Sequence, residues 1–76
     1  MKMFSIKDSK AESFNTPFFQ ATFGLAERAY TDAANDEKNS LSRHKEDFSL
    51  WYLGELNQNT GEFIPEYPPK LIAQLS

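Results

Sequence analysis

The run Asp47-Phe48-Ser49-Leu50-Trp51-Tyr52-Leu53-Gly54-Glu55-Leu56 predicts a strand that is apolar on both faces. Phe48, Leu50 and Tyr52 alternate to one side, while Trp51 and Leu53 fall on the other. Such a strand needs cover twice over. One helix, about 10–12 Å across with its side chains, covers only one face of a sheet of several strands. The second face is left for another copy of the chain, for a sheet that curls onto itself, or for stacked nucleobases.

Upstream, Lys2-Met3-Phe4-Ser5-Ile6-Lys7 alternates, with Phe4 and Ile6 on one face, and predicts a first strand. The polar stretch Asp8 to Ser13 ends it. Asn15-Thr16-Pro17 then reads as a helix start, with Thr16 as N-cap and Pro17 at the first helical position. Behind it Phe19, Phe23, Ala26, Tyr30 and Ala33 recur in steps of four, three, four and three, one stripe down a helix. Gly24 inside that stripe weakens the helix by about 1 kcal/mol relative to Ala. Asn35 to Lys45 is polar and charged, and predicts a solvated linker with Asn39-Ser40 as its exit.

Beyond the central strand, Asn57-Gln58-Asn59-Thr60-Gly61 predicts a turn with Gly61 or Asn59 in a left-handed position, followed by a return strand at Glu62-Phe63-Ile64. Pro65 to Pro69 interrupts pairing, because proline has no amide proton for a ladder, and Lys70 to Leu75 predicts a last strand. The expected fold is α+β, a single domain over residues 1–76. It is a mostly antiparallel sheet of three to four strands in the order β-α-β-β-β, covered on one face by one α-helix, and oligomeric.

A chain of 76 residues hides only about 60% of its unfolded surface, which leaves room for one core and one site. Without Cys, disulfides, zinc–thiolate sites and cysteine nucleophiles are excluded together. No run reaches the roughly 20 apolar residues of a membrane span, and MKMFSIKDSK lacks a signal peptide's apolar core, so a soluble protein without membrane contact is expected. His44 is the sole His and has no local partner for general-base or metal-ligand work, while Asp32, Asp36 and Glu37 read as a soluble helix face. Gly24, Gly54 and Gly61 lie in different elements and form no phosphate loop, and no Ser sits in a nucleophile elbow. Neither catalysis nor a cofactor nor a metal is expected.

Several segments carry a likeness. Phe4 precedes Asp8 and the pair Lys10-Ala11; an aromatic-Pro-Phe region runs from Phe14 to Phe19; Arg28-Ala29-Tyr30 sits in the predicted helix. The block Asp47-Phe48-Ser49-Leu50 leads through Gly54 to Thr60-Gly61. Together these resemble the nonstructural protein of small single-stranded DNA phages of the Microviridae, chiefly the gokushovirus branch that includes the Chlamydia phages, over most of the chain. The resemblance implies a non-capsid protein made in the host bacterial cytoplasm during infection, acting in single-stranded DNA replication or packaging by binding DNA.

Charge tests that implication. Lys and Arg number 8 against 11 Asp and Glu, a net charge of -3, whereas a protein that condenses DNA is basic because phosphate neutralisation supplies nonspecific affinity. Condensation is therefore disfavoured. Single-strand binding survives on an acidic chain when a local basic border accompanies stacking aromatics, each stacked base contributing about 1–3 kcal/mol. The candidate residues are Lys7, Lys10, Arg43, Lys45, Trp51, Tyr52 and Lys70. If the first and central strands are neighbours, Lys7, Arg43, Lys45 and Trp51 border one face, although Glu46 and Asp47 offset the basic cluster. The alternative is a non-enzymatic protein that oligomerises through Trp51, Leu53 and Phe63 on the second face and scaffolds or modulates a phage or host replication protein.

Overall fold

The computed structural model describes residues 1–74, Ser40 by its backbone alone. Strand β1 (Lys2–Asp8) lies inside a five-stranded antiparallel sheet. On one side it pairs with β4 (Phe48–Leu56), from Lys2 opposite Glu55 to Asp8 opposite Phe48. On the other it meets two short pieces of a single edge. Strand β2 (Ser13–Phe14) lies opposite Lys7 and Asp8, and β3 (Phe18–Gln20) lies opposite Lys2 to Phe4. Between them Asn15-Thr16-Pro17 breaks the ladder, but the Asn15 N–H donates to the Ile6 carbonyl (2.8 Å) and the Ser5 hydroxyl donates to the Asn15 carbonyl (2.6 Å). Ser5 is thus fully buried with its hydroxyl bonded, as a buried polar group requires. Strand β5 (Phe63–Gln74) pairs with β4 and forms the other edge.

The expected α+β architecture is the observed one, with five strands in place of three to four. Helix α1 (Phe23–Asn35) packs Ala26, Tyr30 and Ala34 into a core with Phe4, Phe48 and Leu50 from the sheet. The Ala positions let the helix approach closely, and aromatic rings fill the rest. The fully buried Phe4 ring has Phe18 stacked at 5.9 Å, Phe23 edge-on at 5.9 Å and Tyr52 tilted at 5.6 Å.

Two sequence expectations change. The helix does not start at Thr16-Pro17; Thr22 is the N-cap, its hydroxyl accepting from Leu25 N–H at 3.1 Å. Both threonines have the local chemistry of a cap, and pairing with β1 decides between them, drawing Phe18 to Gln20 into the sheet and removing Phe19 from the helical stripe. Nor is Asn35 to Lys45 a bare linker. Asn39 caps a short helix α2 (Ser40–Arg43), accepting from Leu41 N–H at 3.0 Å, and Leu41 is buried in the core. One apolar residue among polar ones leaves no periodicity to read. A 3₁₀ turn (Lys45–Asp47) then leads into β4.

The turn at 57–61 forms as expected, with Gly61 at φ +80° and its N–H donating to the Asn57 carbonyl at 2.7 Å. The proline segment interrupts pairing as expected, but the return strand and the last strand are one. β5 is one strand, but its ladder passes from Gly54 opposite Pro65 to Tyr52 opposite Lys70, so Glu66 to Pro69 stand opposite Leu53 alone. An edge strand tolerates this because half its amides face outward. Leu75, the expected end of this strand, lies outside the described residues. Leu53 is also extra relative to β1, where Gly54 faces Met3 and Tyr52 faces Phe4. The bulge reverses the phase of β4, so Gly54 lands on the side away from the helix and Glu55 on the helix side.

Glu55 there gathers cations. Its carboxylate accepts from Lys2 Nζ at 3.0 Å and lies 3.2 Å from the N-terminal ammonium, which donates to the Leu56 carbonyl at 2.7 Å. The Lys2 hydrogen bond, then that of the terminal ammonium, holds the Glu55 carboxyl below its ordinary value. A depressed carboxyl contributes stability that is present above its unfolded pKa and lost as pH falls through the folded one. The urea midpoint of Glu55→Gln is therefore expected to fall below wild type at neutral pH. That gap should close as the pH drops below the ordinary carboxylate value of 4.5; a gap that persists in acid would refute the assignment.

Candidate nucleic-acid interface

Directly opposed residues of an antiparallel pair share a face, so the register dictates what the sheet carries away from the helices. Lys7 lies opposite Phe14 and Ser49, Ser5 opposite Trp51, and Trp51 opposite Leu71. Met3 lies opposite Phe19 and Gly54, and Leu56 opposite Phe63. Four aromatic rings therefore share this open face: Phe14, Phe19, Trp51 and Phe63. Phe14 and Phe19 are each 41% exposed, Phe63 39% and Leu71 47%.

The rings are ordered. Trp51 Nε1 donates to Ser49 Oγ at 2.7 Å, which fixes the indole on the face. Phe14 meets Trp51 edge-on with centroids 6.2 Å apart. Lys7 Nζ sits over both, 5.5 Å from the Phe14 centroid and 5.6 Å from that of Trp51. At such sites a cation–π contact contributes about 0.5–1 kcal/mol. No carboxylate occupies a register position of this face among the described residues, since Asp8 and Glu55 both fall on the helix side opposite Phe48 and Lys2. Lys7 is thus the charged residue at a register position of this face among the described residues, on a chain of net charge -3.

The sequence-predicted residues divide. Lys7 and Trp51 come together, as neighbouring first and central strands require. Tyr52 lies on the opposite side, its ring 5.6 Å from Phe4 and 5.0 Å from Phe23, and burial followed by the negative charge of Glu55 pushes its hydroxyl pKa up. Lys70 faces Tyr52 across the ladder, with Nζ 5.6 Å from the Phe23 centroid, and so belongs to the helix side too. Arg43 and Lys45 flank the exit of α2, whose Leu41 enters the core, and no contact joins them to Lys7 or Trp51 among the described residues. Lys10 lines a groove with Asp8, His44, Glu46, Asp47 and Phe48, where three carboxylates outweigh the cations. In that groove His44, Glu46 and Asp47 bring ligand-type atoms within 4.8 Å of one another, with His44 and Glu46 exposed to solvent and the Lys10 ammonium opposing a bound cation. Of the residues proposed for self-association, Trp51 and Phe63 lie on the open face and Leu53 is the bulged residue.

Phe14 and Phe19 were not among the candidate site residues because one lay between the predicted first strand and helix start and the other in the supposed helix. The signal was present in Phe18-Phe19, adjacent aromatics that a strand sends to opposite faces and a helix cannot.

A family model described as Phage ORF5 protein matches residues 1–76 of the chain. No curated protein and no solved structure matches it. Among the described residues no helix is long and apolar enough to cross a membrane.

Proposed function

Because the chain belongs to the phage ORF5 protein family, we propose that it is a nonstructural accessory protein of a gokushovirus-type, Microviridae-like single-stranded DNA phage. It acts in the host cytoplasm by binding single-stranded genomic DNA, during replication or packaging, on the open face of its sheet. The observation that carries this reading is the Lys7 ammonium set over Phe14 and Trp51 on a face that has no carboxylate at its register positions among the described residues. Unpaired bases supply flat π surfaces to the rings, and their phosphates supply the missing negative charge. A second copy of the chain is a poorer occupant. Face-to-face docking would bring two Lys7 ammoniums into one dry interface with no carboxylate on the face to pair them.

The test is a titration of a labelled thymidine decanucleotide followed by anisotropy, with Trp51 emission recorded in parallel. Binding is expected to quench Trp51 and to weaken with salt. Trp51→Ala is expected to lower affinity about 5- to 150-fold, the equivalent of one stacked base. Tyr52→Phe, which keeps the ring packed against Phe4 and Phe23, is expected to bind as wild type does. Absence of binding at low salt with tens of micromolar protein would overturn the proposal.

A further inference from the structure

Resting on that reading, we infer that Lys7 is a displaceable positioning residue: it covers the Phe14 and Trp51 rings in the free protein and moves onto a phosphate when a base takes its place. The inference starts from where the ammonium is. Lys7 Nζ lies over both rings, at 5.5 and 5.6 Å from their centroids. A stacked base requires that same space. The side chain is half-buried, and no salt bridge to it forms among the described residues; those that form there join Glu55 to Lys2 and to the N-terminus. Among the described residues its charge meets only the two rings, so the head can leave them once a better partner arrives.

A lysine suits this role because its ammonium is a compact point charge on a flexible four-carbon stem. The stem stays rooted on β1 beside Phe14, while the head needs only to swing from ring to backbone. The ligand must therefore bring a π face and an anion together. A polyanion without bases offers the ammonium a partner but leaves the rings uncovered. A nucleoside without phosphate displaces the ammonium and gives it nothing in return. A base carrying its phosphate does both, which defines the ligand class as a nucleotide chain.

The experiment measures affinity for the thymidine decanucleotide across a salt series with wild type, Lys7→Met and Lys7→Arg, recording Trp51 quenching at saturation. Each phosphate contact on a single strand contributes about -0.7 to the slope of log affinity against log salt. Lys7→Met is expected to flatten the slope by about that amount while keeping the quenching, and Lys7→Arg to restore the slope. Inorganic polyphosphate is expected to leave Trp51 unquenched. Equal slopes for wild type and Lys7→Met, with binding intact, would overturn the role of Lys7 and leave the open face as the binding surface. Loss of quenching in Lys7→Met would overturn it as well, by making Lys7 a prop for the rings. Quenching by polyphosphate would overturn the requirement for a base. Absence of wild-type binding would overturn this inference together with the reading it rests on.

Discussion

Phe4→Ala is expected to lower the urea midpoint of unfolding sharply at 25 °C. The ring is fully buried, and Phe18, Phe23 and Tyr52 all pack on it at 5.6 to 5.9 Å. Truncating a buried Phe costs about 3–5 kcal/mol, the lost transfer energy plus the cavity. A domain of this length holds about 4–11 kcal/mol in total. The substitution thus removes between about a quarter and all of the stability the chain has. Far-ultraviolet circular dichroism through a urea titration measures it. Phe19→Ala provides the control: the same residue type, one position from a partner of Phe4, but 41% exposed on the open face. A midpoint for Phe19→Ala near that of wild type, beside a collapsed Phe4→Ala, is the expected pair of results. Similar effects from both would place the open face in a packed core and contradict the fold.

Gly54→Ala is the second large effect, and it acts through the backbone. Gly54 adopts φ +154°, and a Cβ built there would meet the Phe63 ring at 2.5 Å and the Ile64 carbonyl oxygen at 2.6 Å. A non-Gly residue in such a conformation costs about 1–3 kcal/mol. Overpacking adds about 1–3 kcal/mol more. The ring of Phe63 can turn away, but the Ile64 carbonyl belongs to the ladder with β4 and cannot. Gly54→Ala in a Phe63→Ala background is therefore expected to recover only part of the loss. Urea midpoints of the two single variants and the double variant measure this as a coupling energy. Full recovery would show the ring, not the backbone, to be the obstacle.

How much of this was legible varied with how each residue is constrained. The first strand, the central strand, the turn at Gly61 and the helical stripe from Phe23 to Ala33 were readable because each has a period or a turn residue of its own. The start of α1 was not. Thr16-Pro17 and Thr22 offer similar local caps, and the choice is made by residues far along the chain that pair with Phe18 to Gln20. Leu41 was invisible for a related reason, since its burial comes from packing near α1 rather than from its neighbours in sequence. At the candidate site, Trp51 and Lys7 followed from alternation alone. Phe14 and Phe19 did not, because their place depends on a broken edge strand; alternation already set Tyr52 on the face opposite Trp51, and the exclusion of Lys70 depends on its register with Tyr52.

Both margins of the sheet are interrupted by proline. Pro17 lies in the gap between β2 and β3, Pro65 ends the paired stretch Phe63-Ile64-Pro65 of β5, and Pro68 and Pro69 are among the four residues, Glu66 to Pro69, that skip the ladder before Lys70. A margin without a continuous row of donors gives a neighbouring chain little to zip onto. The same prolines that obscured the last strand in the sequence thus give a small, aromatic-rich sheet blunt margins on both sides.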